Sequence, residues 1–291
     1  MTLTRRNSLC LAGATLVAFR PLALRAQRPA ARVVASFSIL ADMAQELAPA
    51  GVQVSALVGP DSDAHVYQPS PADGKRLAHA DLVLINGLGF EGWIERMVKV
   101  SGYRGTVAIA TQGIQPRTGG HSDADPHVWQ DLALARRYAA NIGAAFGQRW
   151  PGQREEIARR SAAYVARIDQ LDAQVRGWLA AVPRALRRVI TSHDAFGYFG
   201  AAYGVDFLAP QGWNTHSEPS AAAVARLIRQ IKKDGVRAIF IENISDPRLV
   251  ERIAREGGVR IGGTLYSDAL SKPGGPAATY LQLFEHNARS L

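Results

Sequence analysis

The chain has 291 residues, long enough for two lobes with cores of their own, and its 47% hydrophobic content excludes disordered and collagen-like classes. Its formal charge of +9 does not make a nucleic-acid binder, because the bases are scattered along helical stretches such as Arg154, Arg159, Arg160, Arg167 and Arg176. No stripe of basic residues with interleaved aromatics is present.

Residues 1–26 read as a signal peptide. Arg5 and Arg6 make a basic start, Leu9 to Phe19 is a short apolar run, and Leu24-Arg25-Ala26 offers a small residue for cleavage. The run is too short to anchor in a bilayer. The paired arginines fit a twin-arginine route, and an ordinary secretory signal fits as well. Removing this segment takes away four arginines and no acid, leaving about +5. The only cysteine, Cys10, goes with it, so the mature chain has neither disulfide nor thiolate ligand. The expected location is the periplasm, and a metal there would be held by nitrogen and oxygen.

After the signal, strand candidates alternate with amphipathic stretches. Residues 32–36, 52–58, 82–86 and 106–110 read as strands, with helical stretches at 39–47 and 71–80 among them. From about 153 to 181 there is no proline and no strand signal. Ile157, Tyr164, Val165, Ile168, Leu171, Val175, Trp178 and Leu179 recur at three- and four-residue steps, one apolar stripe on a helix about 40 Å long. Pro151-Gly152 opens it and Pro183 closes it. Strand candidates then resume at 188–191, 206–208, 238–241 and 259–264, with helices at 221–233 and 247–256. The predicted fold is α/β: two lobes, each a parallel sheet flanked by helices, joined by one long rigid helix. The predicted bounds are 27–152 for the first lobe, 153–182 for the linker helix and 183–291 for the second lobe.

The chain has seven histidines. His79 and His286 sit in helical stretches beside charged residues and read as surface positions. His121 and His216 lie in polar loops and are weaker ligand candidates. His65, His127 and His193 share one kind of address: each lies in a loop beyond the carboxyl end of a predicted strand, where open parallel sheets bind ligands. Asp268 follows the last predicted strand in the same way. Three imidazoles and a carboxylate suit a tetrahedral Zn²⁺ and lean away from Mg²⁺ and Ca²⁺. Read from spacing alone, satisfied structural histidines explain these residues equally well.

Five stretches carry a family resemblance. They are Gly59-Pro60-Asp61-Ser62-Asp63-Ala64-His65, Asn86-Gly87-Leu88-Gly89-Phe90-Glu91-Gly92-Trp93, Asp125-Pro126-His127-Val128-Trp129, Ser192-His193-Asp194-Ala195-Phe196-Gly197-Tyr198-Phe199 and Tyr266-Ser267-Asp268-Ala269-Leu270-Ser271. With them the chain resembles the zinc- and manganese-binding solute-binding proteins of ABC importers, those with a rigid helix between the lobes. The resemblance implies metal ligands at His65, His127, His193 and Asp268, one Zn²⁺ ion as cargo, an ABC importer membrane permease as partner, a monomer and no enzymatic activity. A periplasmic metallochaperone is a further partner it allows. Manganese members tend to carry glutamate at the third position, so His193 points to the zinc type. Two features of the family are missing: the long acidic, His-rich loop shrinks to residues 115–124, and no disulfide can form.

Rival readings stay open at this point. A zinc hydrolase would use the three histidines with Glu242 or Glu218 as general base. A manganese binder of the same family is another rival, and an adhesin or metal sensor is a third. Trp129, Phe196 and Phe199 read as core packing first and as shields of the site second. Glu91 and Trp93 are expected to shape the first lobe rather than touch metal.

Overall fold

The computed structural model describes residues 30–118, 124–236 and 238–291. The signal-peptide reading of residues 1–26 and the candidate ligand His121 lie outside the described residues.

Among the described residues, eight strands form two parallel four-stranded sheets. The first contains β1 (Ala31–Phe37), β2 (Val52–Val58), β3 (Leu82–Ile85) and β4 (Val107–Ile109), in the order β2-β1-β3-β4. The second contains β5 (Arg188–Ile190), β6 (Asp206–Leu208), β7 (Ala238–Glu242) and β8 (Arg260–Leu265), in the order β6-β5-β7-β8. The two orders are the same arrangement repeated, so the second run of strands and helices repeats the topology of the first. In each sheet the chain reverses its direction of travel between the first and third strands, and the crevice there opens beyond the carboxyl ends.

Helices α1 (Ser38–Leu47), α2 (Pro71–Ala78) and α3 (Ile94–Ser101) belong to the first lobe, followed by α4 (Leu132–Arg149). The linker α5 (Arg154–Ala180) has 27 residues, enough for about 40 Å. Its buried residues are Ile157, Tyr164, Ile168, Leu171, Val175 and Leu179, while Val165 and Trp178 pack half-buried beside them. Then come α6 (Gly197–Tyr203), α7 (Ala221–Asp234), α8 (Pro247–Gly257) and α9 (Tyr280–Ser290). Single turns of 3₁₀ helix at 128–130 and 151–153 precede α4 and α5. No helix among the described residues is long and apolar enough to cross a membrane.

One apolar core runs from β1 and α1 through α4 and the α5 stripe to Phe196, Phe199 and α9. The C-terminal segment therefore does not stay within the second lobe. Helix α9 returns to α5 and α1, and the Tyr280 N–H donates to Asp42 Oδ2 at 2.8 Å. A helix packed from both sides in this way cannot bend without opening buried apolar contacts. In the second sheet, β7 and β8 slip register between Ile239 and Phe240. Gly262 lies under the Phe240 ring, where an added Cβ would come within 2.6 Å, and Gly263 takes φ 135. Only glycines accommodate this approach and this turn of the chain.

Candidate metal centre

Four loops at strand ends meet between the sheets. The loop after β2 brings His65, and the long connection after β4 brings His127 to the 3₁₀ turn. His193 follows β5 directly, and Asp268 follows β8. Their ligating atoms all lie within 4.8 Å of one another. His65 Nε2 is 3.3 Å from His127 Nε2 and 3.2 Å from Asp268 Oδ2. His193 Nε2 is 3.1 Å from Asp268 Oδ2, and His127 Nε2 is 3.7 Å from Asp268 Oδ1. Tetrahedral bonds of about 2.0–2.1 Å put donor atoms about 3.3–3.4 Å apart, so the spacing fits one small ion at the centre. All four residues are buried. Asp268 Oδ1 is a buried oxygen without a hydrogen bond, as expected of an atom reserved for a cation.

The rings are fixed from behind. Asp125 Oδ1 accepts from the His127 N–H at 3.0 Å and from Nδ1 at 2.9 Å. Glu242 Oε1 accepts from the His193 N–H at 2.8 Å, and its Oε2 stands 2.6 Å from His193 Nδ1. Carboxylates in this position set the tautomer, orient Nε2 toward a metal and make the imidazole a better donor. His65 is held differently. Its N–H donates to Asp63 Oδ1 at 2.8 Å, and Trp93 Nε1 donates to the Ala64 carbonyl at 2.8 Å. Asp268 is held across the lobes: Trp129 Nε1 and Gln130 Nε2 both donate to the Ser267 carbonyl, at 2.9 and 2.8 Å.

Burial depresses the His65 imidazole, and Asp268 only partly offsets this. Burial also acts against the charged forms of His127 and His193. There the carboxylates win: Asp268 with Asp125 pushes His127 up to about 9, and Glu242 with Asp268 holds His193 well above its usual value. Burial would raise Asp268, yet His193 and His127 keep it well below the carboxylate range. In the metal-free cluster the carboxylates of Asp268, Asp125 and Glu242 thus favour the protonated forms of His127 and His193. A cation entering the cluster competes with protons for these two rings.

The other sequence candidates fall outside the cluster. His79 is exposed and bonds the Lys75 carbonyl through Nδ1. His216 is exposed on its loop. His286 is half-buried rather than on the surface; its Nε2 donates to the Thr264 carbonyl at 2.9 Å and ties α9 to β8. Among the aromatic candidates only Trp129 touches the site, with its ring 5.3 Å from the His127 ring. Phe196 stacks on Phe207, and Phe199 on Phe284. Phe90, which sequence reasoning missed as a wall of the site, meets the His65 ring edge at 4.7 Å. Glu91 does shape the first lobe: it accepts from Ser36 Oγ and from the Asn86 and Gly87 N–H groups.

A hydrolase needs a base facing the metal-bound water. Glu242 lies behind His193, on the side away from the cluster, and Glu218 is exposed. Neither is placed for that work.

The profile of the family described as ZnuA, zinc-uptake complex component A, periplasmic, matches residues 33–291. The chain belongs to this family. It is 35% identical over 267 residues to the zinc-binding protein TroA of Treponema pallidum, covering 89% of this chain and 87% of that one. It is 32% identical over 269 residues to the manganese-binding lipoprotein MntA of Bacillus subtilis, covering 89% and 88%. The solved structure of periplasmic zinc-binding TroA superposes with a TM-score of 0.86 at 32% identity, over 89% of this chain and 97% of that one. As a ZnuA-family protein the chain is the metal-binding component of an ABC-type metal uptake system, and not an enzyme. Its family works with an importer permease and ATPase.

Proposed function

We propose that Zn²⁺ is the ion carried, and that His65, His127 and His193 bind it through Nε2 with Asp268 as the fourth ligand. The observation that carries this reading is the convergence of three buried Nε2 atoms on one buried carboxylate at 3.1–3.7 Å. Three neutral nitrogens and one oxygen suit zinc better than manganese, which prefers more oxygen donors. The similarity to TroA, named as a zinc-binding protein, supports the same choice. The similarity to MntA, named for manganese, keeps that ion as the competitor to test.

In this reading the chain is exported to the periplasm by residues 1–26 and acts as a monomer. It captures one zinc ion between the lobes and passes it to the permease. A periplasmic metallochaperone is an additional source of the ion. Because α5 is packed along its length, release proceeds by rearrangement of the ligand loops rather than by wide hinge opening. The test is competitive titration of zinc against manganese on the purified chain, with metal analysis. One equivalent of zinc that manganese does not displace supports the reading, and preference for manganese contradicts it.

A further inference from the structure

We propose that the surface groove over His65 binds a small polycarboxylate metal chelate, from which the ion passes into the buried site. This rests on the metal-site reading given above. The groove encloses about 1130 Å³, room for a drug-sized molecule. Of the four clustered residues only His65 lines it. His65 keeps 3% exposure, and His127, His193 and Asp268 have none. An ion arriving from solvent by this route meets the His65 edge first.

The charge of the groove is wrong for a bare dication. Lys75 and Arg96 stand on its lining with His79 and His216, and among the described residues no aspartate or glutamate does. No ion pair among the described residues neutralises either cation. Asp73 lies behind the wall, where it accepts from the Tyr67 and Ser70 hydroxyls and pairs with Arg76. A cationic cleft repels an aquo metal ion and concentrates anions. A zinc polycarboxylate with net negative charge is attracted, and its carbon frame finds the apolar surface of Val66, Trp93 and Val100. Val66 and Val100 are 44% and 69% exposed. Transfer is then ligand exchange: a metal–carboxylate bond breaks as a metal bond to His65 Nε2 forms. The other protein ligands follow, protons on His127 and His193 passing to solvent as their metal bonds form, and the carrier leaves as its free polyanion. No electrons move.

The experiment is stopped-flow zinc loading of the full chain at one fixed free zinc concentration. Zinc is supplied either as its citrate complex or from a zinc–histidine buffer. Citrate should load the protein about tenfold faster or more. That advantage should shrink with added salt and vanish in Lys75→Glu and Arg96→Glu, whose equilibrium zinc affinity stays unchanged. A loading rate that follows free zinc alone overturns the proposal, as does an undiminished citrate advantage in both variants. Faster loading from zinc–hexaglutamate than from citrate also overturns it, in favour of an acidic protein segment. Absence of equilibrium zinc binding would sink the metal-site reading itself, an outcome that the same titration separates from failure of the groove.

Discussion

Glu242 stands behind His193, with Oε2 2.6 Å from Nδ1, while the Nε2 of the same ring faces Asp268 at 3.1 Å. One ring thus connects a carboxylate at the end of β7 to a carboxylate beyond the end of β8. Glu242 accepts from the His193 N–H and sets its other oxygen against the ring's Nδ1, so it fixes where the ring sits and which nitrogen faces the cluster.

Glu242→Gln should therefore lower zinc affinity about 10–100-fold, the usual cost of losing an orienting carboxylate. The amide can still accept from the His193 N–H, so the fold should survive. Competitive zinc titration with circular dichroism checks both points. Unchanged affinity in the folded variant would remove Glu242 from the site's support.

The raised values of His127 and His193 set the pH dependence. Protons compete with zinc for both rings, so apparent affinity should rise with pH up to the His127 value of about 9. The metal-free chain should behave oppositely. His127 has a folded value of about 9, above the ordinary ~6.5. Its contribution to stability is complete below about 6.5 and is lost as pH rises through about 9. Melting curves from pH 6 to 9 should show metal-free stability falling while zinc-loaded stability does not. A metal-free melting temperature that rises over this range contradicts the protonation pattern.

Asp42 offers a control remote from the metal. Burial, aided by Glu46, raises it to about 6, against the opposing effects of the Tyr280 N–H and Arg167. A carboxyl raised on folding binds its proton more tightly in the native state. Its stabilising effect is therefore complete below the unfolded value near ~3.9 and is lost as pH rises through about 6. Asn keeps the acceptor for the Tyr280 N–H and carries no charge. Asp42→Asn should stabilise the protein by about 1–2 kcal/mol at pH 8 and little at pH 4. Urea unfolding at both values measures this, and an equal gain at both would contradict a charge effect.

Trp129 and Gln130 grip the Ser267 carbonyl from the other lobe. Trp129→Phe removes one donor and buried volume, at a cost of about 1–3 kcal/mol. Because Ser267 precedes Asp268, the variant should also release zinc faster to a chelator. Gln130→Leu should act in the same direction. Release rates equal to wild type in both would separate this grip from the metal.

The strands were legible because each is a short apolar run bounded by turn residues. All eight predicted runs overlap observed strands, with ends that coincide or differ by one residue. The long helix was legible from its stripe, since Ile157 to Leu179 keep one face through six buried positions. The three histidines and Asp268 shared strand-end addresses that a parallel sheet turns into one cleft. The supports behind them were not legible in the same way. Glu242 is 49 positions from His193, and nothing local says whether a buried carboxylate faces the metal or the back of a ring. Asp125 could have been found, since an aspartate two residues before a histidine can reach back to its N–H. Phe90 lay in view in the Asn86–Trp93 stretch, but its contact with His65 depends on how the loop closes. That loop takes positive φ at Gly87, Leu88 and Gly89. The return of α9 to α1 depends on contacts such as Asp42 with Tyr280, separated by 238 positions.

X-ray absorption at the zinc edge tests the central claim most directly. The zinc-loaded chain should show four nitrogen or oxygen neighbours at about 2.0 Å with the outer-shell pattern of three imidazoles, and His193→Ala should lose one imidazole and most of the affinity. A six-coordinate shell of mainly oxygen, or a His193→Ala variant with unchanged imidazole count and affinity, would contradict it.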